Sequence, residues 1–193
     1  YYTTKIKSAD GTFRWSESKE FPKYISKKDA WDSQPTVSSD GNTIIFSSNR
    51  KGGYGKTDLY ETTFENNKWG APKNLGANIN SAQEEKSPFL HTDGKTLFFS
   101  STNFPTLGGF DIFYSRKDSA GKWQKPINIG YPINTSTDEV SLFVSTDGKT
   151  AYFASNKLIG EGGWDIYGFS LHEAAKPERV LFLKGDLYDE DGR

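Results

Sequence analysis

The stretch that decides the fold runs from Ser87 to Gly130 and reads SPFLHTDGKTLFFSSTNFPTLGGFDIFYSRKDSAGKWQKPINIG. It is one copy of a repeat, because three of its markers recur together at spacings of 53 or 54 residues. The markers are an Asp-Gly turn (Asp40, Asp93, Asp147), an aspartate before an apolar run (Asp58, Asp111, Asp165) and a tryptophan (Trp15, Trp69, Trp123). Repeats of roughly 20–50 residues indicate solenoids, propellers or arrays. This period is slightly longer, so the contents of the repeat decide between them.

Each repeat encodes four short strands. The Asp93-Gly94 pair lies between two apolar runs and predicts a tight hairpin, since glycine tolerates positive φ. The run at 96–101 is rich in β-branched and aromatic residues and is apolar on both faces, which predicts a strand buried between two sheets. A third strand begins at Asp111, and a fourth lies near Trp123 and continues into 126–130.

Four antiparallel strands per repeat, without an intervening helix, predict an all-β fold, namely a β-propeller. Stacking such sheets radially buries their faces and leaves only short edges. We assign residues 1–30 to the outer strands of a preceding blade, and residues 31–75, 85–129 and 139–171 to three propeller repeats. Propellers typically use four to eight blades, so we expect these residues to be an incomplete part of a larger propeller that begins before Tyr1.

The end of the chain departs from the repeat. Residues 172–178 are polar and predict a linker. Residues 179–193 contain an apolar run and a final Asp-Gly pair, which predicts either the start of a following β-sandwich or a strand that closes the third blade. We favour the start of a new sheet.

Composition excludes several function classes. The net charge of −1 gives no electrostatic basis for binding nucleic acid, and no apolar run is long enough to span a bilayer. Without cysteine and with only two histidines, the chain offers no set of ligands for a transition metal. No nucleophile elbow, phosphate-binding loop or dinucleotide fingerprint occurs. We therefore expect no enzyme activity, no cofactor and no metal.

The repeat resembles a known family. The segments DGKTLFFSS, GGFDIFY and GKWxxPxNIG resemble the WD-like, TolB-type propeller repeat, in the version found in OmpA-family envelope lipoproteins of Bacteroidetes. There the propeller often precedes a carboxypeptidase-regulatory-like β-sandwich, to which 179–193 is similar, and a peptidoglycan-binding domain. One lipoprotein of this layout belongs to the type IX secretion and gliding apparatus.

This resemblance implies a non-enzymatic protein–protein interaction scaffold of the bacterial cell envelope, at the periplasmic face of the outer membrane. Its partners would be envelope or secretion-system proteins, and it would serve type IX secretion or link the outer membrane to peptidoglycan. Peptidoglycan itself would be bound only through a domain that this chain lacks.

The repeated aspartates favour a structural role. Asp58, Asp111 and Asp165 each follow a glycine-containing loop, and their carboxylates are suited to accept hydrogen bonds from loop N–H groups. Contact with a ligand or a cation is the alternative. Identical use in every blade favours the scaffold, as it does for the hairpin residues Asp40, Asp93 and Asp147.

A second set of acidic residues is a binding candidate. Asp32, Glu85 and Glu139 occupy one repeat position, just before the innermost strand of each blade. Carboxylates around a narrow channel mouth repel one another or attract a cation. The alternative is that they cap loops or pair with lysines in solvent.

Aromatic residues of the glycine-rich loops are the third candidate. We expect one face to display Tyr54, Phe104, Phe110 and Trp164. Aromatic side chains on a rigid scaffold are effective contacts for proteins or glycans. Packing against the next blade is the alternative for them.

Two other functions remain open at this stage. One is a glycan-binding or glycan-cleaving propeller in which Glu85 and Glu139 act on a sugar, since paired carboxylates are the chemical requirement of glycosidases. The other is a regulatory propeller attached to a hydrolase, which needs an α/β domain after residue 193.

Overall fold

A computed structural model describes residues 1–156 and 162–181 of the 193-residue chain. The predicted strand at 179–193 lies outside the described residues from position 182 onward. The strands are β1 (Lys5–Lys7), β2 (Phe13–Trp15), β3 (Asp32–Val37), β4 (Thr43–Ser48), β5 (Asp58–Glu65), β6 (Lys68–Trp69), β7 (Lys73–Asn74), β8 (Glu85–Leu90), β9 (Thr96–Ser101), β10 (Asp111–Arg116), β11 (Ile127–Asn128), β12 (Glu139–Val144), β13 (Thr150–Ser155) and β14 (Asp165–Ser170).

These strands form successive antiparallel blades, as the repeat predicts. Blade one is β3-β4-β5-β6 with β7 also paired to β5, blade two is β8-β9-β10-β11, and blade three is β12-β13-β14. A two-stranded sheet, β1-β2, precedes them. The hairpins between the first two strands of each blade turn at Gly41, Gly94 and Gly148, whose φ angles of 75°, 67° and 70° explain why glycine is needed there.

The blades stack face to face and bury apolar side chains between them. Strand β9 serves both sides: Leu97 and Phe99 belong to a core shared with blade one, while Phe98 belongs to a core shared with blade three. All three are essentially inaccessible to solvent. A strand that is apolar on both faces is therefore placed between two sheets, as its sequence indicates. Each fully buried side chain of this size contributes about 1.5–3 kcal/mol.

The segment at 172–178, which its polar composition predicts to be a linker, packs against the blades. It includes a 3-10 turn at Glu173–Ala175, and Ala175 is buried in the core between blades two and three. Arg116 of blade two donates hydrogen bonds to the carbonyl oxygens of Ala174 (2.9 Å) and Lys176 (2.8 Å). The segment is polar because it covers the ends of two blades, where it presents polar groups to solvent and to Arg116.

Candidate functional site

At the same end of every blade, one residue from each of the first three strands is paired across the sheet in a single row. The row consists of an acidic residue on the inner strand, a serine on the second strand and an aspartate on the third. The rows are Asp32–Ser48–Asp58, Glu85–Ser101–Asp111 and Glu139–Ser155–Asp165. We call this end the loop face, and define it by the residues that precede the inner and third strands: Trp31, Thr57, Glu84, Phe110, Asp138 and Trp164.

The aspartate of blade one holds its loop in place. Asp58 is buried, and its carboxylate accepts hydrogen bonds from the backbone N–H groups of Tyr54 (2.6 Å) and Gly55 (3.0 Å). The side-chain amide of Asn74, on the outer strand, donates a third at 2.8 Å. One carboxylate therefore joins the loop to the outer strand of the same blade.

Blade two repeats this arrangement, and blade three retains part of it. Asp111 accepts hydrogen bonds from the N–H of Leu107 (2.7 Å) and the amide of Asn128 (2.8 Å). Asp165 accepts a longer one, 3.4 Å, from the N–H of Gly162. The shared geometry is that of a loop anchor, and the difference in blade three follows from its lack of an outer strand among the described residues.

The hairpin aspartates lie at the opposite end of the blades. Asp40 accepts hydrogen bonds from the Ser38 hydroxyl (2.5 Å) and the Asn42 N–H (3.0 Å), and these bonds hold the pKa of its carboxyl below the usual range. Asp147 is bonded in the same way. Asp93 is less exposed than these two, and it also accepts the N–H of Glu178 at 3.0 Å. These residues close turns.

Neighbouring blades are locked together at the loop face. A Cβ on Gly109 would lie 2.1 Å from the Oδ1 atom of Asp138, so any larger residue at this position would displace that carboxylate. That same oxygen accepts the N–H of Phe110 at 2.8 Å, and the carbonyl of Phe110 accepts the N–H of Glu139 at 2.7 Å. The loop of blade two is thus fixed against the connection to blade three, and its aromatic residue has a defined position.

Two buried asparagines, which are not among the repeat positions considered above, complete the scaffold. The side-chain amide of Asn134 accepts the N–H of Ile112 (2.8 Å) and donates to the Ile112 carbonyl (2.9 Å). It thus makes the two backbone hydrogen bonds that a neighbouring strand would make. Asn80 does the same for Leu59 in blade one. The available signal is the motif NxGxxIN, which occurs at 74–80 and 128–134.

Glu85 follows the loop-capping alternative and is not an open carboxylate at the channel mouth. It is fully buried, and it accepts hydrogen bonds from the N–H (2.9 Å) and hydroxyl (2.6 Å) of Ser81 and from the hydroxyl of Ser101 (2.8 Å). Burial raises the pKa of the Glu85 carboxyl, although these hydrogen bonds oppose the rise. Glu85 caps the loop that precedes its own strand.

The equivalent acids are also engaged within their own loops. Glu139, likewise fully buried, accepts the N–H (2.8 Å) and hydroxyl (2.7 Å) of Thr135. Asp32 accepts the N–H of Lys27 at 2.9 Å and forms an ion pair with Arg50 at 2.8 Å. No group of three or more acidic or histidine side chains within 1–156 and 162–181 is placed to hold a metal ion. The structure therefore does not bring these three acids together as an open ring.

The inner strands of neighbouring blades contact one another through residues other than these three acids. Each inner strand has a bulge whose residue adopts a left-handed backbone: Gln34 (φ 53°), Ser87 (φ 50°) and Ser141 (φ 59°). The side chain of Gln34 accepts the N–H of Ser87 at 3.0 Å, and the hydroxyls of Ser87 and Ser141 lie 3.3 Å apart. An open cavity of about 320 Å³ lies among them. Its polar lining is the amide of Gln34 and the hydroxyls of Thr36, Ser87 and Ser141, in place of carboxylates.

The aromatic candidates separate into two groups. Tyr54 and Trp164 are 55% and 51% exposed, in agreement with display on the surface. Phe104 differs, because its ring packs 5.4 Å from that of Phe113 and joins the core between blades one and two. Its left-handed backbone (φ 58°) accompanies this inward position. Phe104 is therefore a packing residue rather than a displayed one.

Phe110 is part of a cluster that the sequence does not predict. The ammonium group of Lys86 lies 5.0 Å from the Phe110 ring centroid and 6.0 Å from that of Trp31, which is 44% exposed. Glu84 contacts the same ammonium at 3.3 Å. A cation near two aromatic rings combines apolar area with a charge, and both serve recognition. We call Trp31, Lys86 and Phe110 the cation–aromatic cluster.

Comparisons with known proteins place the chain by its fold. No protein-family model matches the sequence, and no curated protein matches it. The crystal structure of TolB from Acinetobacter baumannii superposes with a TM-score of 0.50 at 13% identity, over 84% of this chain and 33% of that one. An α-L-arabinofuranosidase, PaAbf62A from Podospora anserina in complex with cellotriose, gives a TM-score of 0.46 at 16% identity, over 78% and 50%.

The described chain thus spans about a third of the length of TolB and half that of the arabinofuranosidase. At this identity the likeness to TolB shows the fold alone, which is a TolB-like β-propeller. The part of the chain described contains no helix that is long and apolar enough to cross a bilayer.

Proposed function

We propose that the chain is a non-enzymatic binding scaffold whose loop face docks a protein partner. The observation that carries this proposal is the cation–aromatic cluster, in which Lys86 is held between Trp31 and Phe110 at the loop face. The loops beneath it are anchored by buried carboxylates and by contact with the next blade. The loops are therefore already ordered before a partner binds, so binding costs less conformational entropy and affinity is favoured.

A protein partner fits this surface better than a sugar. Binding hot spots in protein interfaces are enriched in Trp, Tyr and Arg and are surrounded by groups that exclude water. The glycan alternative relied on Glu85 and Glu139 as reacting carboxylates, and both are fully buried and hydrogen bonded. They are not accessible to a substrate in this structure, so these two carboxylates do not support the proposal of sugar cleavage.

The proposed setting is the bacterial cell envelope, with an envelope or secretion-system protein as the partner. Two observations support it: the repeat segments resemble those of OmpA-family envelope lipoproteins, and the fold is TolB-like. A role in type IX secretion, or in linking the outer membrane to peptidoglycan, is the finer form of this proposal and depends on the resemblance of the repeat.

The test is an affinity capture from a Bacteroidetes-type envelope extract, followed by measurement of binding to each purified candidate. We expect a defined partner whose affinity falls about 30-fold when Trp31→Ala and Phe110→Ala are combined, because removing hot-spot residues costs at least about 2 kcal/mol. The matched control is Trp15→Ala, since Trp15 is 67% exposed but lies on β2, outside the loop face. Equal affinity of the double variant and the control variant would reject the loop face as the docking surface.

A further inference from the structure

An open groove lies between the outer parts of blades one and two. Its volume is about 490 Å³, and every residue that lines it falls between positions 61 and 123. One wall comes from β7 and the residues that follow it, and the other comes from 117–123, which precede β11. Ligand clefts in proteins are commonly about 300–1,000 Å³ in volume.

The charge of this groove is predominantly positive. Its lining includes three lysines, Lys73, Lys117 and Lys122, against one acidic residue, Glu61. Lys73 and Lys122 are exposed, and neither forms an ion pair with another residue of 1–156 or 162–181. The chain as a whole has a net charge of −1, so this excess of positive charge is local. We call the three lysines, with Glu61 and Trp123, the basic groove.

Lys117 is the anchored lysine of the basic groove. Its ammonium group lies 4.8 Å from the centroid of the Trp123 ring and 3.9 Å from the carboxylate of Glu61. Trp123 is buried in the core between blades one and two, and its carbonyl accepts the side-chain amide of Asn78 at 2.8 Å. This hydrogen bond joins the two walls, so Lys117 is held in place before a ligand binds.

The repeat does not require lysine at these positions. Lys117 corresponds to Phe64 in blade one and to Leu171 in blade three. Lys73 corresponds to Ile127 in blade two. Because the other blades are built with apolar residues at these positions, the packing of a blade does not explain the lysines.

We propose that the basic groove binds an acidic segment of a partner polypeptide, whose carboxylates pair with the three lysines. Lysine ammonium groups are compact charges on flexible stems, so they adapt to carboxylates at varied positions. A sugar acid is a poorer fit, since Trp123 is only 8% exposed and offers little surface on which a sugar ring can stack. The basic groove shares no residue with the cation–aromatic cluster, so either site can fail without the other.

The test measures binding of a fluorescein-labelled octaglutamate peptide to the intact protein by anisotropy, with octaglutamine as the uncharged probe. We expect saturable binding of octaglutamate that weakens about tenfold when Lys73→Gln, Lys117→Gln and Lys122→Gln are combined, since each exposed ion pair contributes modestly. The matched control combines Lys7→Gln, Lys23→Gln and Lys28→Gln. It removes the same charge from exposed lysines that do not line the groove. Equal affinities of the two triple variants, or no binding at millimolar octaglutamate, would overturn the proposal.

Glu61→Gln gives a change of the opposite sign. It removes the carboxylate that competes with the ligand for Lys117, so we expect octaglutamate to bind about threefold more tightly. A variant that merely disturbs packing would not gain affinity, and circular dichroism identifies any variant that has lost the fold. Unchanged or weaker binding by folded Glu61→Gln would contradict the proposed pairing with Lys117.

Two other occupants of the basic groove are distinguished by the same assay. Tighter binding of hexagalacturonate than of octaglutamate, with the same dependence on the three lysines, would identify a carboxylated glycan and overturn the proposal. The chain itself carries carboxylates at Asp186, Asp189, Glu190 and Asp191. If their replacement with asparagine and glutamine strengthened octaglutamate binding more than about tenfold, the occupant would be the chain itself rather than a partner, because a tethered segment competes at high effective concentration.

Discussion

Replacing Asn134 with alanine tests the scaffold beneath the loop face. Asn134 is fully buried, accepts the N–H of Ile112 at 2.8 Å, and donates to the Ile112 carbonyl and to Asn128. In Asn134→Ala the buried N–H of Ile112 loses its acceptor. The Ile112 carbonyl keeps a bond from Ile129, and the Oδ1 atom of Asn128 keeps one from Gly130. One group is therefore left unsatisfied, and two lose only one of their partners.

The expected cost follows from this difference. A buried donor without a partner costs about 1–3 kcal/mol, and each of the two lost bonds contributes about 0.5–1.5 kcal/mol. We expect Asn134→Ala to lower the free energy of unfolding by about 3 kcal/mol. Asn134→Asp is expected to cost at least as much, because its carboxylate accepts the Ile112 N–H but loses both donations and places a buried negative charge against two acceptor oxygens.

The assay is urea unfolding followed by far-UV circular dichroism and by tryptophan fluorescence, with the slope against denaturant checked for constancy. The matched control is Asn42→Ala. Asn42 is exposed, and its side chain makes one 3.4 Å hydrogen bond to Asp40, so we expect a change within about 0.5 kcal/mol. If Asn134→Ala falls within 0.5 kcal/mol of that control, as exposed sites do, the clamp does not stabilise the blade and the reasoning is wrong.

Two further predictions concern the loops. Gly109→Ala is expected to destabilise the protein by about 1–3 kcal/mol, because the new Cβ would overlap Asp138, and urea unfolding measures this. No atom of the described residues lies within 4 Å of a Cβ built on Gly163, its counterpart in blade three, so Gly163→Ala is expected to change stability by less than about 0.5 kcal/mol; equal losses at both positions would contradict the close approach. Glu85→Gln is expected to change the pH dependence of stability. Burial raises the pKa of the Glu85 carboxyl, so its stabilising contribution is complete below the unfolded-state pKa of about 4.3 and is lost as pH rises through the higher folded-state pKa. The wild type should therefore lose stability relative to the variant as pH rises from 4, as measured by unfolding at a series of pH values, and a difference that is constant with pH would exclude this shift.

Much of the fold could be predicted because its signals are local. Asp-Gly pairs need no distant partner to form turns, and a strand such as Thr96–Ser101 that is apolar on both faces can be buried only between two sheets. The period then assigns the strands to blades. The path of 172–178 could not be predicted, because docking depends on Arg116, which is distant in sequence.

The candidate site was harder to predict, because a repeat position does not show which way a side chain points. Glu85 and Glu139 precede inner strands as expected, but their carboxylates turn back to Ser81 and Thr135. The hydroxyl residue four positions earlier was the available signal. The contact of Lys86 with aromatic rings of two blades has no sequence signal, since it depends on how neighbouring blades pack. The roles in binding of the exposed aromatic residues remain predictions.

The central claim is that the loop face is the docking surface, and site-specific photo-crosslinking tests it most directly. A photoreactive phenylalanine analogue is placed at position 31 or 110, and at position 15 as the control, in otherwise unchanged protein exposed to envelope extract. We predict that positions 31 and 110 crosslink to the same partner, because both rings contact Lys86, and that position 15 does not. Crosslinking of that partner at position 15 but at neither loop-face position would contradict the claim.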